Sequence, residues 1–309
     1  MASLGLKTLP FKKYWIALSS LVLIISTIKI LGADDVFRAW HINETTSESV
    51  KERSIWLPSY FIATEPKTLD GITDNASGIT WSPITNSLFI VINGQNEVFE
   101  LTLDGDIVRR IPLKNFRDVE AITWVGDDQF IVADERDQSL VKLTITPETS
   151  KLNKQDFPSF TMGVESGDNK GFEGVAWDPT DNAIFVVRER DPMRLYKVYG
   201  LVSDGSPSQV SIKKSKALSK AAKKRNNDLS GLHFDHNSGN LLVLSHESNL
   251  VSEINARGDN ISFLELGKGW HGLDNTVPQA EGITMDDNGN LYVISEPNLF
   301  YKFSRNTET

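Results

Sequence analysis

The chain contains no cysteine among its 309 residues. This absence excludes disulfide bonds, thiolate metal sites and cysteine nucleophiles. Long apolar runs are also scarce, because only Tyr14–Leu31 is predominantly hydrophobic over a length close to a membrane span, and a multi-span membrane protein is therefore excluded. Basic residues are outnumbered by acidic ones, 32 to 41, which gives a net charge of −9. The residues before Gly32 nevertheless include four lysines and no acid. Nucleic acid is not expected as a partner of so acidic a body, since binding to phosphates requires a basic surface.

The apolar run Tyr14–Leu31 predicts a single N-terminal transmembrane helix. Three lysines precede it, and positive charge before the run predicts a cytoplasmic N-terminus. The C-terminal domain is then expected on the periplasmic or extracytoplasmic side of the cell (inner) membrane. A cleaved signal peptide and a buried core helix are the alternatives, although the run is longer than a signal core and Leu31-Gly32-Ala33 is a poor cleavage site.

The rest of the chain divides by composition into a short connection and one large domain. A polar segment rich in Glu, Ser and Thr follows the apolar run and has no sustained hydrophobic period, which is typical of a stalk. The predicted organisation is a basic N-terminus (1–13), a signal anchor (14–31), a juxtamembrane stalk (32–54) and a large domain (55–309).

Five related segments repeat along the large domain at intervals of roughly 50 residues. Each has a polar residue, a small residue, an apolar-polar-apolar stretch, a turn and a run of apolar residues, which predicts a β-hairpin whose second strand is buried on both faces. An alternating strand such as Glu97–Leu101 follows each hairpin, usually with one more strand. Four strands per unit of about 40–50 residues is typical of a propeller blade. The sequence therefore predicts an all-β, five-bladed β-propeller of four-stranded blades, preceded by one transmembrane helix.

Closure of the propeller is predicted to use a strand from before the first repeat. The fifth unit ends at Leu299–Phe303, one strand short of a full blade, and Ser59–Thr64 is a spare strand. A degenerate sixth blade between Arg194 and Asp228, a parallel β-helix and a pair of sandwiches remain as alternatives. The same interval carries seven Lys and Arg residues between Lys213 and Arg225, which either contact an acidic partner or anionic lipid or form a solvated face.

Several of these segments resemble the bacterial SdiA-regulated family. The resemblance covers about residues 55–305 and is carried by Ser77–Ile79, Val119–Ile122, Phe172–Val175, Asp228–Leu232, Leu244–Ser248, Pro278–Ile283 and Ile294–Phe300. It implies a membrane-anchored, extracytoplasmic five-bladed propeller, distantly related to NHL-repeat propellers, with a bound calcium ion.

Two sets of polar residues are predicted to meet at one mouth of the central channel, because the first and second strands of each blade are antiparallel. The strand-start ring, at the first position of each hairpin, is Ser77, Glu120, Glu173, Ser230 and Glu281. The strand-end ring, just after the second strand, is Asn93, Asp134, Glu189, His246 and Glu296.

The carboxylates of the two rings predict a cation site. Carboxylates this close together repel one another unless they are protonated or neutralised, and Ca²⁺ accepts six to eight oxygen ligands of the kinds present. The candidate ligands are Glu120, Glu173 and Glu281, followed by Asp134, Glu189 and Glu296. Zinc is less suitable, since the chain has no thiolate and few nearby histidines. In the alternative interpretation these acids only accept backbone N–H groups of neighbouring blades.

Two classes of function remain open at this point. One is a calcium-binding module that recognises an unknown protein or small-molecule ligand, and the other is a calcium-dependent esterase or lactonase. In the second, the metal polarises a carbonyl and His246 is the candidate base, with Glu189 or Asp134 as substitutes. The sequence has no G-x-S-x-G elbow and no phosphate-binding P-loop, which favours the binding module.

Overall fold

Five sheets, antiparallel except where β10 joins β6 in parallel, account for most of the chain. In this computed structural model the described residues are 14–16, 18–20, 41–42, 44–73, 75–163, 171–190, 192–202 and 209–306. The chain divides into two units, Met1–Val50 and Lys51–Thr309. Every described strand lies in the second unit, and a short helix, α1 (Glu48–Lys51), comes before them.

The strands follow the predicted repeat. Before the first hairpin come β1 (Tyr60–Ile62) and β2 (Lys67–Thr68). The first blade contains β3 (Ala76–Ser82), β4 (Ser87–Ile92), β5 (Glu97–Leu101) and β6 (Ile107–Lys114). The second contains β7 (Val119–Trp124), β8 (Gln129–Asp134), β9 (Ser139–Thr144) and β11 (Ser159–Thr161), and the intervening β10 (Leu152–Asn153) pairs with β6. The third contains β12 (Phe172–Asp178), β13 (Ala183–Arg188), β14 (Arg194–Tyr199) and β15 (Ser211–Lys214).

The last two blades complete the ring. The fourth contains β16 (Gly231–Asp235), β17 (Asn240–Ser245), β18 (Leu250–Ile254) and β19 (Asn260–Glu265). The fifth contains β20 (Ala280–Met285), β21 (Leu291–Ser295) and β22 (Leu299–Arg305), and β1 supplies its outer strand. Because Tyr60 lies opposite Arg305 and Ile62 opposite Phe303, the predicted closure by an N-terminal strand is confirmed.

The propeller has five blades and no sixth one in the described residues. The first strands contact one another in a closed circle, with β20 against β3. The interval from Arg194 to Asp228, which was the candidate for a sixth blade, holds β14, β15 and the helix α2 (Lys216–Lys223) in its described part. This helix buries Leu218 and two alanines against the third and fourth blades, while its lysines lie on the solvent side.

Burial follows the predicted pattern, with the second strand of each hairpin inside the sheet stack. All residues of β4, β13, β17 and β21 are buried. Apolar clusters fill the space between neighbouring blades, as where Phe89 of β4 meets Phe130 of β8 with ring centroids 4.7 Å apart. Each blade is therefore stabilised by its neighbours rather than by a core of its own.

One buried carboxylate fastens the segment before β1 to the fourth blade. Glu253 in β18 is 0% exposed and accepts hydrogen bonds from the backbone N–H groups of Ile55 (2.8 Å) and Trp56 (3.2 Å). It also accepts from Asn240 Nδ2 at 2.6 Å and from the Ser262 hydroxyl. The closing strand β1 is therefore held by the Glu253 side chain, through the segment before it, as well as by its pairing with β22.

We expect Glu253→Ala to lower the free energy of unfolding by about 3–5 kcal/mol, because four donors lose their acceptor in a buried site. Chemical denaturation followed by circular dichroism measures the loss. Glu253→Gln keeps one acceptor oxygen and should lose less. A change below about 1 kcal/mol in Glu253→Ala would show that the network does not hold the closure.

No helix in the described part of the chain is both long and apolar enough to cross a bilayer. The predicted anchor, residues 14–31, lies largely outside the described residues.

Candidate functional site

A β-bulge places the strand-start ring at one mouth of the channel in four of the five blades. The pairing register shifts between Ala76 and Gly78 in the first blade, and equivalent shifts occur in the second, third and fifth. The extra residues are Ser77, Glu120, Glu173 and Glu281. Because the extra residue of a bulge has no ladder partner, its side chain is directed away from the regular alternation of the strand.

The small residue that follows each ring position is required by close backbone contact between blades. A Cβ added to Gly78 would lie 2.8 Å from the Ala121 backbone in the next blade, and one at Gly282 would lie 2.9 Å from the Ile79 backbone. A side chain does not fit at these distances. The first strands therefore approach closely around the channel and bring the ring residues together.

The strand-end ring differs from the sequence prediction in the second blade. The residue opposite Val119 in the ladder is Asp134, so the position just beyond the strand belongs to Glu135, in line with Glu189 and Glu296 in other blades. The apolar run of the second hairpin is Phe130–Ala133, and aligning it from the polar Gln129 placed it one residue early. A slip of one residue puts a side chain on the opposite face of a strand.

Asp134 consequently lies inside the second blade and not at the mouth. It is 0% exposed, receives a hydrogen bond from Lys154 Nζ at 2.7 Å, and accepts from the backbone N–H groups of Arg117 (3.1 Å) and Asp118 (3.2 Å). Its partners within the chain satisfy it. Glu135 was the residue missed, and the polar Gln129 at the start of the aligned run was the signal that could have revealed it.

In the described part of the chain, eight carboxylates gather around the channel opening, and we call this cluster the acidic mouth. Its members are Asp118, Glu120, Glu135, Glu173, Glu189, Asp228, Glu281 and Glu296. Asp118 and Asp228 come from the segments that lead into β7 and β16, which the repeat pattern did not single out. One oxygen from each of Asp118, Glu120 and Glu135 lies within 4.8 Å of the others.

Burial and mutual repulsion make the charged form of the deepest members unfavourable. Burial, opposed only in part by a hydrogen bond from Ser77, raises the pKa of Glu120 to about 7, with Glu135 and Asp118 adding to the rise. Burial, followed by repulsion from neighbouring carboxylates, raises the pKa of Glu281 to about 9 and that of Glu173 well above its usual range. Near neutral pH, Glu281 is therefore mostly protonated and Glu120 is about half ionised unless a positive charge joins them.

Protein cations balance the rim of the acidic mouth but not its centre. Arg190 Nε lies 2.6 Å from Glu189 Oε1, and Arg136 Nη2 lies 3.1 Å from Asp118. Among the described residues, no lysine or arginine is within ion-pair distance of the three glutamates in the strand-start ring. The centre of the mouth therefore retains uncompensated acidity.

The polar residues beside the carboxylates are partly engaged with the backbone or with one another. Asn93 Nδ2 donates to Glu120 Oε1 at 2.5 Å, and the Ser230 hydroxyl donates to the Ala280 carbonyl at 2.7 Å. Glu135 accepts the Gly171 N–H at 2.7 Å. In the alternative interpretation, the predicted acids only accept backbone N–H groups. This describes Asp134, which lies outside the mouth, and it describes Glu135 in part.

The match to known proteins agrees with this architecture. Residues 52–304 match the SdiA-regulated family. The chain belongs to this family. Its fold is similar to that of the calcium-binding protein regucalcin from Agrobacterium tumefaciens, with 15% identity, a TM-score of 0.50, and coverage of 77% of this chain and 92% of that one.

Two enzymes of similar fold have a lower sequence identity to this chain and a lower TM-score than regucalcin has. A gluconolactonase from Xanthomonas campestris is 13% identical over 78% of this chain and 90% of its own, with a TM-score of 0.46. A streptogramin B lyase is 12% identical over 80% of this chain and 98% of its own, with a TM-score of 0.47.

The histidine of the strand-end ring lies between two carboxylates of the acidic mouth. His246 Nδ1 is 3.8 Å from Asp228 Oδ2 and 3.8 Å from Glu281 Oε1, distances longer than a hydrogen bond. Its side chain is 35% exposed. In this SdiA-regulated protein, His246 therefore lies at the edge of the mouth, where solvent reaches it.

Proposed function

We propose that the protein is a membrane-anchored, extracytoplasmic propeller that holds Ca²⁺ at the acidic mouth and acts as a ligand- or protein-binding module. The observation that carries the proposal is the close approach of the Asp118, Glu120 and Glu135 carboxylates at a channel opening. Burial and neighbouring carboxylates raise the pKa of Glu120, Glu173 and Glu281 there. The regucalcin of similar fold is described as calcium-binding, but at this identity the likeness supports the fold alone.

The donor set fits a hard divalent cation. Calcium–oxygen distances of about 2.3–2.6 Å place two ligands of one ion no more than about 5 Å apart, and one oxygen from each of the three carboxylates lies within 4.8 Å of the others. The Asn93 amide oxygen and the Ser77 hydroxyl are further oxygen donors beside Glu120. Oxygen ligands in this number favour calcium or magnesium over zinc or copper.

The residues of the mouth divide into two roles in this proposal. Asp118, Glu120 and Glu135 would hold the ion directly, and Glu173 and Glu281 would add negative charge from the third and fifth blades. A bound cation would supply charge neutralisation, so that the buried glutamates ionise together. Glu189 is engaged by Arg190 and would contribute at the rim.

Calorimetric titration of calcium into the chelator-treated, full-length protein tests the site. Saturable binding is expected in the parent, with affinity reduced at least about tenfold in Glu120→Gln, Glu173→Gln and Glu281→Gln, since each removes one charge from the ion's surroundings. Binding that survives all three substitutions would place the ion elsewhere. Absence of binding at millimolar calcium would make the acidic mouth a structural feature only.

Asp134 and Glu135 provide a matched pair for the same titration. We expect Glu135→Gln to weaken calcium binding about tenfold or more. Asp134→Asn should weaken it much less, because Asp134 does not face the ion and the asparagine keeps an oxygen that can accept the Asp118 N–H. Melting curves control for the loss of that buried ion pair. A loss of calcium binding in Asp134→Asn alone would contradict the observed register.

A calcium-dependent hydrolase is the second candidate, and the position of His246 between Asp228 and Glu281 favours it. The histidine would act as a base toward water beside the metal. Turnover of a panel of esters and lactones by the calcium-loaded protein, lost in His246→Ala, would support this candidate. Without turnover on the panel, the binding module stands.

The proposed location rests on residues 14–31 and the lysines before them. Membrane fractionation in the native host, with protease added to intact spheroplasts, tests it. We expect the propeller to sediment with membranes and to be digested from outside. A protected or freely released propeller would contradict the anchor or its orientation.

A further inference from the structure

The channel has a second opening, opposite the acidic mouth, and it leads into a cavity of about 360 Å³. In each repeat we count the residue of the strand-start ring as the first position. The fifth position then lies four residues later, about 13 Å along the first strand at the rise of a β-strand. Residues at that fifth position line the cavity in every blade: Trp81, Trp124, Trp177, Phe234 and Met285. We call this set the aromatic mouth.

The tryptophans of the aromatic mouth are only half-buried. Trp124 and Trp177 meet edge to face, with centroids 5.5 Å apart and an interplanar angle of 79°. The Trp124 indole N–H donates to the Asp127 carbonyl at 2.7 Å, which fixes the orientation of this ring. Each indole packs on one side against an apolar cluster between the blades and also lines the cavity.

The electrostatic character of the cavity favours a cation. Of the described residues that line it, none is lysine or arginine, whereas Asp235, Asp286 and Asp287 all contribute. Asp287 is exposed at the rim. His233 lines the interior, and burial lowers its pKa to about 4, so it adds no positive charge near neutral pH.

We propose that the aromatic mouth is a binding site for a small organic cation that carries an apolar group, such as a quaternary ammonium compound. The face of an indole ring attracts a cation through its quadrupole, the apolar lining accommodates the hydrocarbon part, and the carboxylates at the rim favour positive over neutral ligands. This site is separate from the acidic mouth and does not depend on calcium.

Calorimetric titration of the full-length protein in a non-ionic detergent with benzyltrimethylammonium tests the proposal directly. Choline and 3,3-dimethylbutan-1-ol form a matched pair, because the alcohol has carbon in place of the charged nitrogen. We expect saturable binding of benzyltrimethylammonium and choline at millimolar concentration or below, and at least about tenfold weaker binding of the alcohol. Absence of saturation, or equal affinity for choline and the alcohol, would overturn the proposal.

Tryptophan variants locate the binding. Trp124→Leu and Trp177→Leu should each weaken benzyltrimethylammonium binding about tenfold, whereas Trp270→Leu should not change it, since Trp270 lies outside the cavity in the loop before β20. Equal losses in all three variants would contradict the location.

A surface variant keeps the test decisive if the tryptophan variants fail to fold. Asp287→Asn removes an exposed charge at the rim and should weaken choline binding about threefold without affecting the neutral alcohol. Asp70→Asn, an exposed aspartate that does not line the cavity, is its control and should have no effect. An unchanged choline affinity in Asp287→Asn would count against the electrostatic part of the proposal.

Discussion

Replacing Glu173 by glutamine is expected to raise the melting temperature of the calcium-free protein and to reduce the further rise that calcium produces. In the absence of a cation, Glu173 is buried and surrounded by Glu120, Glu135, Glu189 and Glu281, which raise its pKa well above the usual range. Glutamine removes this repulsion while keeping the shape of the side chain. A gain of about 3–6 °C is expected for a domain of this size, measured by thermal unfolding with and without a chelator.

A structural role for Glu173 would give the opposite result. If its carboxylate held the blades together through hydrogen bonds, Glu173→Gln would lower the melting temperature in both conditions. Glu148→Gln, which changes an exposed glutamate in the connection after β9, is the matched control and should shift neither curve. A calcium-induced rise as large in Glu173→Gln as in the parent would contradict the site.

The stability of the calcium-free protein is expected to fall as the pH rises from about 5 to 9. Glu120 and Glu281 have folded-state pKa values of about 7 and about 9, whereas an unfolded chain titrates these groups near 4.3. The folded state therefore binds more protons over this interval, and the stability present below the unfolded pKa is lost as the pH passes through the folded values. A fall of about 10 °C in melting temperature is the expected scale.

Calcium should cancel most of this pH dependence. A bound cation favours the ionised carboxylates, so saturating calcium stabilises the protein more at pH 8 than at pH 5 by linkage. Melting curves in chelator and in calcium, across the same buffers, measure both slopes. Equal slopes in the two conditions, or a calcium-free protein that becomes more stable toward pH 9, would contradict the electrostatic account of the acidic mouth.

The fold was predictable because each repeat carries its own local signals. Alternation in Glu97–Leu101, the buried run of β4 and the spare strand at Ser59–Thr64 correctly predicted strand order, burial and closure. Convergence of Glu120, Glu173 and Glu281 followed from their shared position in the repeat.

The details of the acidic mouth depend on features that a repeat pattern does not carry. Bulges at the ring positions are visible only in the pairing register. An alignment that began at Gln129 instead of Phe130 assigned Asp134 to the place that Glu135 occupies. Asp118 and Asp228 lie in connecting segments, whose course is set by tertiary packing. The cavity at the aromatic mouth also depends on tertiary packing. In the sequence, Trp81 and its counterparts are equally consistent with buried core positions, and only the assembled blades show that they line a cavity.

The central claim, a calcium ion at the acidic mouth, is tested most directly by an anomalous difference map from crystals of the calcium-loaded protein, recorded at a wavelength where calcium scatters anomalously. The account predicts a peak at the channel opening, with oxygens of Asp118, Glu120 and Glu135 about 2.3–2.6 Å away. A map at saturating calcium with no peak in the acidic mouth, or with its peak only at another place on the propeller, would contradict it.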